Sequence, residues 1–478
     1  MALTVIKNAS VLMLAQILNP LIGMALVVVM ARAMGAEGLG AYTFAISLLT
    51  IFEIIGRLGI REYVVREIGR DKPKWPYLFS SGLVLGSVAS LVAQIAMLVA
   101  AKIIGYEPQV LHGLFIISFA LLPTVLYYVF ESILYAFDRM AWAGTISVAE
   151  TIVRVGLSLG ALVLDAGLDA LLLVFVLSRV VAMILSAWAQ KRCAGFPLRQ
   201  WRSEIFRDML RVTPTFAMLA ILAAVYWRVD VLMLSRLSGN EAVGQYSAGF
   251  RLMYLLAFAG SSVLAAVYPT MTRLYHHERE SYVLLVEKMA EYLILIYLPV
   301  AVAGYHLSPR IMPLLFGAEF DEAIIALRIL IWVSLPLALA TLFANALVAA
   351  NRQNLDLRVN VFRLIWIAML SYFLIRSLGV AGAGIATLGS CIAAVLLQGY
   401  YLRDLLHLRR LFDLMMKPSF AAAIMAFILA LMNTWPLALQ IAIAAAVYLS
   451  TLVALRPFNQ ADRQLLHCLG IRTAGGAA

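Results

Sequence analysis

The sequence predicts an all-α polytopic membrane protein of about 14 transmembrane helices, in two related six-helix lobes followed by two C-terminal helices. Three observations predict this fold class. The chain of 478 residues is 63% hydrophobic and only 13% charged, long apolar stretches recur along it, and its basic residues concentrate in alternate connections. So little polar surface cannot coat a water-soluble globule.

The apolar stretches supply the predicted spans, because a helix needs roughly 20 apolar residues to cross a hydrocarbon layer of about 30 Å. Six spans fill the first half of the chain: Val11–Met30, Leu39–Leu58, Leu78–Ala101, Leu111–Phe137, Trp142–Leu164 and Leu171–Ala189. The second half continues with Val212–Met233, Ser247–Pro269, Tyr292–His306, Ala323–Ala349, Val359–Leu378, Ala381–Leu402, Pro418–Met432 and Pro436–Leu455.

The distribution of positive charge predicts the orientation of these spans. With the N-terminus inside, 26 of the 37 lysines and arginines lie in inner connections or tails, five in outer connections and six within spans. Because cytoplasmic loops carry an excess of Lys and Arg, we predict an N-in, C-in topology in the cytoplasmic (inner) membrane. The net charge of +11 then reflects loops that face anionic lipid, and it does not indicate a nucleic-acid partner.

An internal repeat predicts two related lobes. The stretches Arg32–Tyr42 and Arg236–Tyr246 share five identities at one offset of 204 residues. Each follows a span that runs from inside to outside, which is typical of parallel repeats with a cleft between them. The predicted organisation is an N-terminal lobe (1–190), a basic cytoplasmic linker (191–211), a second lobe (212–402), and two further helices with a cytoplasmic tail (403–478).

Ionisable side chains inside the spans are the candidate functional residues, because a charge in hydrocarbon is costly and usually faces the protein interior or a water-filled cavity. Arginines occur at every predicted depth: Arg57 and Arg363 at the inner mouth, Arg154 and Arg179 near the middle, and Arg228 and Arg251 toward the outside. The planar guanidinium fork matches phosphate oxygens and stays charged, so these arginines predict an anionic cargo. The candidates for ion coupling are Glu53, Glu131, Glu150 and Asp230.

Structural roles are also open for several of these charges. Glu150 and Arg154 are four residues apart, so the carboxylate could neutralise the guanidinium on the same helix. Arg251 and Arg328 could extend to the membrane interface, and Asp230 could pair with another helix.

The remaining motifs predict no cofactor and no metal. Cys193, Cys391 and Cys468 are scattered and offer neither a disulfide framework nor a metal-ligand spacing. The glycines from Gly35 to Gly40 follow no strand and lack the lysine of a P-loop. With no nucleotide-binding motif, a gradient of H⁺ or Na⁺, or downstream consumption of the product, must supply direction.

Five stretches in fixed order carry a resemblance to a known family. They are Arg32–Tyr42, Gly59–Arg70, the repeat from Asp230 through Tyr246, Leu315–Arg328 and Gly379–Gly384. In this pattern the chain resembles the polysaccharide (Wzx-like, O-antigen) flippase branch of the multidrug/oligosaccharidyl-lipid/polysaccharide exporter superfamily. The resemblance covers nearly the whole chain.

The resemblance implies a flippase and not an enzyme. Its cargo would be a polyprenyl-diphosphate-linked oligosaccharide, moved from the inner to the outer leaflet by alternating access for O-antigen, capsule or exopolysaccharide synthesis. Membrane lipid and the polysaccharide polymerase or ligase machinery are the implied partners.

Three alternatives stay open at the level of sequence. An ion-coupled drug or organic-cation antiporter of the same superfamily usually carries acidic groups near the first span, whereas Val11–Met30 contains no charge. A lipid II flippase would share the cationic cavity. A membrane polymerase or ligase would carry a substantial outer loop, whereas the outer connections here are short.

Overall fold

The computed structural model describes residues 2–197 and 200–455, and in this part of the chain the regular structure is entirely helical. Contacts divide the chain into two compact units, Met1–Gly244 and Gln245–Ala478, which we describe separately.

The first unit begins with α1 (Ala2–Arg57), a hinge, and the short helix α2 (Ile60–Arg70). It continues with α3 (Trp75–Ile104), α4 (Pro108–Ser118), α5 (Leu121–Ala136), α6 (Met140–Val163), α7 (Gly167–Cys193) and α8 (Ser203–Tyr226). The helix α9 (Val229–His277) crosses the boundary between the units. The second unit also holds α10 (Arg279–Phe316), α11 (Asp321–Leu330), α12 (Ser334–Ala349), α13 (Gln353–Leu402), α14 (Leu408–Leu431) and α15 (Leu437–Leu455).

Three of the long helices are interrupted by a single glycine with a backbone that other residues avoid. Gly35 in α1 has φ 67° and ψ −172°, and Gly239 in α9 has φ 85° and ψ −180°. These two residues occupy matching positions of the 204-residue repeat, so the repeat is visible in the backbone as well as in the sequence. Gly379 in α13 has φ 54°. Glycine suits such positions because it has no Cβ to clash.

The matching turns of the repeat also approach each other closely within the first unit. A Cβ built on Gly40 would lie 1.7 Å from the carbonyl oxygen of Asn240, and a Cβ on Gly244 would lie 1.9 Å from that of Ala36. Gly40 corresponds to Gly244 and Ala36 to Asn240 at the repeat offset, so the contact is reciprocal. The backbones of the two turns are in direct contact at these glycines, and the space between them is too small for a side chain.

The helices cover every predicted span, although their boundaries differ from the apolar runs. Eight helical stretches of the described chain are long and apolar enough to cross a membrane by length and composition. Three predicted spans are not single α-helices. Val212–Met233 is divided because α8 ends at Tyr226 and α9 begins at Val229. Likewise, Leu111–Phe137 is divided between α4 and α5, and Ala323–Ala349 between α11 and α12. The span predicted as Tyr292–His306 lies in the much longer α10, and residues 203–211 of the predicted linker belong to α8. The count of 14 crossings and the N-in, C-in topology remain predictions.

In the first unit, α2 is amphipathic and packs one face on its neighbours. Ile60, Tyr63, Val64 and Ile68 are buried in a cluster with residues of α3 and α5. The polar face carries alternating charges, among them Glu67, which lies between two arginines. Burying three or four large apolar side chains contributes several kcal/mol, so α2 is firmly attached beyond its hinge.

In the second unit, α10 accepts a hydrogen bond from a neighbouring helix and contains a buried ion pair of its own. The hydroxyl of Tyr448 in α15 donates to the carbonyl oxygen of Leu295 at 2.9 Å. Leu295 lacks the usual helical donor because Pro299, four residues later, has no N–H. The sequence predicts Lys288 in an inner connection, whereas in the structure it is buried and lies 2.8 Å from the carboxylate of Glu291 on the same helix.

An exposed ion pair joins the start of α13 to the loop after it. Arg352 Nη1 donates to Asp404 Oδ1 at 2.8 Å and to the carbonyl oxygen of Tyr401 at 2.9 Å. The hydrogen bond from Arg352 holds the pKa of the Asp404 carboxyl below its usual value. The pair lies outside the predicted spans.

Candidate functional site

A chain of buried carboxylates and arginines runs through the first unit. It begins where α1 ends, with Glu53 buried and Arg57 Nη1 3.5 Å from Glu53 Oε1. The two residues are one helical turn apart, so the pairing is local. The guanidinium of Arg57 lies over the ring of Tyr128 in α5, with 3.6 Å between the guanidinium carbon and the ring centroid.

The second carboxylate, Glu131 of α5, receives its arginine from another helix. Arg61 Nη1 of α2 lies 3.0 Å from Glu131 Oε2. The hydroxyl of Tyr127 donates to the other oxygen, Oε1, at 3.0 Å. The Arg61 guanidinium also stacks on the ring of Tyr135 at 4.1 Å. Oε1 of this buried carboxylate therefore has a hydrogen-bond donor, whereas Oε2 is held by the charge of Arg61 without a hydrogen bond.

The third carboxylate, Glu150 of α6, is the most thoroughly bonded of the three. Its Oε1 accepts from Arg154 Nε at 3.2 Å and from the hydroxyl of Ser178 in α7 at 2.8 Å. The hydroxyl of Thr151 approaches Oε2 at 3.4 Å. In the structure, Glu150 therefore pairs with Arg154 on the same helix, as one of the structural alternatives expected from the sequence.

Arg179 of α7 differs from these pairs because it has no carboxylate of its own. Its Nε is buried and makes no hydrogen bond, and its guanidinium carbon lies 4.9 Å from the centroid of the Phe175 ring. Its charge interacts most strongly with Glu150 and also with Glu53. Arg179 therefore links the first and third pairs electrostatically while retaining hydrogen-bonding capacity.

The balance of this network is cationic. Four arginines (Arg57, Arg61, Arg154 and Arg179) face three carboxylates (Glu53, Glu131 and Glu150). Guanidinium groups keep their charge in an apolar setting. The network therefore has one positive charge in excess, which a bound anion would balance. A small cavity of about 10 Å³ lies among Arg57, Arg61 and Tyr128, which is close to the room that one water molecule needs.

The structure brings together six of the ten residues that sequence predicted for the site. They are Arg57, Arg154, Arg179, Glu53, Glu131 and Glu150. Two more lie in the same unit: Arg228 Nη1 reaches Ser47 of α1 at 3.4 Å, and Asp230 Oδ1 accepts from the N–H of Val231 at the start of α9.

The other two predicted arginines belong to the second unit. Arg251 of α9 has an exposed side chain. Arg363 of α13 is buried, and its Nη2 lies 2.8 Å from Cys391 Sγ.

Sequence reasoning missed Arg61, which it had assigned to an inner connection. The available signal was its position four residues after Arg57, which would place the two on one face if the helix continued. It also missed Glu287 of α10, which is buried and accepts hydrogen bonds from the backbone and ring of His407. Among the described residues no group of three or more His, Cys, Asp or Glu side chains could hold a metal ion.

The second unit contains an apolar cavity of about 610 Å³. Helices α9, α10, α11, α14 and α15 line it, with residues such as Leu255, Ile296, Pro299, Met425 and Leu449. Its walls offer almost no polar atoms.

These features define a multi-pass helical membrane protein with charged side chains buried in apolar helices, as in transporters. A family model described as "Polysaccharide biosynthesis protein" matches residues 5–275, and the MatE model matches residues 214–373. The first match spans more than half of the chain, which therefore belongs to this polysaccharide biosynthesis protein family. The resemblance predicted from sequence is confirmed.

Two relatives and one solved structure resemble the chain over most of its length. A Haloferax volcanii protein named "Probable low-salt glycan biosynthesis flippase Agl15" is 24% identical over 79% of both chains. A Shigella flexneri protein, provisionally named an O-antigen transporter, is 22% identical over 84% of this chain and 98% of its own. The inward closed lipid II flippase MurJ superposes with a TM-score of 0.78 at 16% identity, covering 93% of this chain and 98% of MurJ.

Proposed function

We propose that this protein is a flippase for a polyprenyl-diphosphate-linked oligosaccharide. It moves its cargo from the inner to the outer leaflet of the cytoplasmic membrane by alternating access between two related lobes. The product serves the synthesis of a surface polysaccharide such as O-antigen, capsule or exopolysaccharide. Family membership and the names of the two relatives support the glycan-lipid cargo.

The observation that carries the proposal is the unfilled bonding capacity of Arg179. Every carboxylate of the network already has its own arginine, whereas the buried Arg179 Nε makes no hydrogen bond. A buried, charged donor without an acceptor is costly. A diphosphate would supply acceptor oxygens, and Arg154 close by on Glu150 could share them. This arrangement fits an anionic headgroup.

The apolar cavity of the second unit is suited to an isoprenoid chain. Its walls are almost wholly apolar and its volume of about 610 Å³ is that of a medium-sized ligand site. In this proposal the charged headgroup binds to the arginines of the first unit. A gradient of H⁺ or Na⁺, or consumption of the product by a polymerase or ligase, supplies direction.

The test is leaflet exchange of a fluorescent polyprenyl-diphosphate disaccharide in liposomes that contain the purified protein. The double variant Arg154→Gln, Arg179→Gln should lose at least about tenfold in rate, because two charge-assisted contacts of about 1.5–3 kcal/mol each are removed. Arg179→Lys should recover only part of the rate, since lysine keeps the charge without the fork.

The matched control is Arg376→Gln. Arg376 also stacks on an aromatic ring, that of Tyr372 at 4.2 Å, but its side chain is exposed and lies in the second unit. Its variant should flip the probe at the wild-type rate. Undiminished flipping by the Arg154, Arg179 double variant would remove these residues from the site.

A second candidate is a drug or organic-cation antiporter, favoured by the MatE match over residues 214–373. The same liposomes distinguish it. Gradient-driven movement of an organic cation without movement of any diphosphate lipid would support the antiporter. Movement of lipid II in preference to the disaccharide probe would instead support a lipid II flippase.

A further inference from the structure

Among the four acidic residues considered for ion coupling, Glu131 is the one whose arginine partner lies on a different helix. Glu53 and Glu150 each pair with an arginine on their own helix, one turn away. Asp230 binds a backbone N–H at the start of its helix. Glu131 on α5 is bound by Arg61 of α2, so its neutralisation depends on a side chain that another anion could attract.

The surroundings of Glu131 leave it dependent on Arg61. Its side chain is buried, and the groups that act on it electrostatically are Arg61 and Glu62 of α2, Arg57 of α1, and Tyr127 on its own helix. Toward α7, Arg179 interacts with Tyr127.

The other helices that pack on α5 supply no replacement for Arg61. Glu150 and Arg154 of α6 are bonded to each other, and the charged residue of α3 is Lys102, at its far end. Without Arg61, the carboxylate keeps the hydrogen bond from Tyr127 and the weaker effect of the Arg57 charge, so its ionised form is disfavoured.

Arg61 is free to exchange its partner without moving its helix. Its side chain is 26% exposed, compared with 7% for Glu131. The guanidinium lies on the face of Tyr135, a contact that tolerates sliding, and it also interacts with the hydroxyl of that tyrosine. Arg57 and Arg61 line the same small cavity, so an anionic oxygen placed there would meet two guanidinium groups against the single carboxylate of Glu62.

We infer that the Arg61–Glu131 pair couples cargo binding to proton uptake, an inference that rests on the proposed function. When a phosphate oxygen binds to Arg61, one proton passes from water to Glu131 Oε2. The carboxyl becomes neutral and retains the hydrogen bond from Tyr127. When the cargo leaves, Arg61 returns and the proton is released. Cargo and proton then move together, so an inward proton gradient opposes outward movement of the cargo, and consumption of the product supplies the direction.

The coupling between proton uptake and cargo binding determines how the affinity for the cargo depends on pH. If binding takes up one proton, affinity rises as pH falls, by at most about tenfold per pH unit. The polyprenyl-diphosphate glycan is a diester whose two phosphate groups are strongly acidic. The probe itself therefore does not titrate near neutral pH.

The experiment measures binding of the fluorescent polyprenyl-diphosphate disaccharide to the full-length protein in detergent, at several pH values and constant ionic strength. Proton uptake is followed with an indicator dye in weak buffer. The wild type should take up about one proton and bind more tightly as pH falls. Glu131→Gln, which mimics the neutral acid, should take up none and bind with the low-pH affinity at every pH.

Matched controls are Glu53→Gln and Glu150→Gln, which neutralise carboxylates paired within one helix. Both should retain the pH slope and the proton uptake. If Glu131→Gln does not fold, Arg61→Gln gives the second test: it should lose the uptake, because Glu131 is then neutral before binding.

The outcomes separate the two proposals. Wild-type binding without proton uptake, or uptake that persists in Glu131→Gln, overturns the coupling role and leaves the flippase proposal intact. A wild type that binds no diphosphate lipid overturns the flippase proposal and this inference with it.

Discussion

At the scale of single residues, the reciprocal contact of Gly40 and Gly244 is the most restrictive feature of the first unit. Each glycine faces a backbone carbonyl of the matching turn, at a distance where no Cβ can be placed. Carbonyl oxygens on helical backbone cannot rotate away as a flexible side chain can. Any side chain at either position therefore separates the two turns.

We predict that Gly40→Ala lowers the free energy of unfolding by about 3 kcal/mol, since a clash with backbone cannot be relieved by repacking side chains. Gly244→Ala should have a similar effect. Thermal unfolding of the purified protein in detergent measures both changes.

Gly156→Ala is the matched control, because nothing lies within 4 Å of a Cβ built on that helical glycine. It should be neutral or stabilising by up to about 1 kcal/mol. If Gly40→Ala proved as stable as Gly156→Ala, the backbone contact would not exist in the folded protein.

Single charges within apolar runs were predictable from sequence, since burying a charge in hydrocarbon is costly whatever the fold. Six such residues do meet in one network. Their pairing was predictable only where it is local, as for Glu150 and Arg154. The pairing of Arg61 with Glu131 depends on how α2 packs against α5, which no spacing along the chain encodes.

At the scale of elements, α10 shows how a proline-rich helix is stabilised by its neighbours. Pro299 removes one backbone donor, and the Tyr448 hydroxyl of α15 satisfies the carbonyl oxygen of Leu295 that this leaves. Arg310, farther along α10, donates to the backbone oxygen of Trp435 in the connection from α14 to α15. Two polar contacts thus hold α15 and the connection before it to α10.

We predict that Tyr448→Phe costs about 1–2 kcal/mol, because Leu295 O is then left without a donor. In a Pro299→Ala background the new N–H of residue 299 can bond Leu295 O within the helix. The same Tyr448→Phe change should then cost about 1 kcal/mol less, a coupling that a double-mutant cycle of unfolding free energies measures.

Tyr282→Phe provides the control cycle, since the Tyr282 hydroxyl donates to Ala346 O on α12, far from Pro299. Its cost should be unchanged by Pro299→Ala. If Tyr448→Phe lowered the free energy of unfolding equally in both backgrounds, the tyrosine hydroxyl would not be the donor that satisfies Leu295 O.

Apolar runs predicted where helices occur because hydrocarbon forces every backbone group to bond within its own segment. They did not predict helix ends. Leu58 and Gly59 adopt positive φ between α1 and α2, and α8 ends just before Arg228, inside a run of apolar residues. Breaks of this kind depend on which neighbours accept the freed backbone groups, and hydropathy contains no information about those contacts.

At the scale of the whole molecule, the predicted topology assigns every connection to one side of the membrane. The assignment rests on the excess of Lys and Arg in alternate connections. It makes α8 begin inside and the connection between α3 and α4 lie outside. The division into lobes at 191–211 is a separate prediction, and contacts group residues up to Gly244 with the first unit.

Four matched Glu→Cys variants test the topology in a background with Cys193, Cys391 and Cys468 replaced by serine. Glu107, Glu204, Glu278 and Glu322 are all exposed in the structure. Positions 107 and 322 fall in predicted outer connections, and 204 and 278 in predicted inner ones. In intact cells a membrane-impermeant maleimide should label Glu107→Cys and Glu322→Cys only, and permeabilisation should expose the other two. Labelling of either inner position from outside would contradict the predicted topology. The pattern over the four sites gives the orientation of the chain and shows whether an even or odd number of spans separates each pair of neighbouring sites.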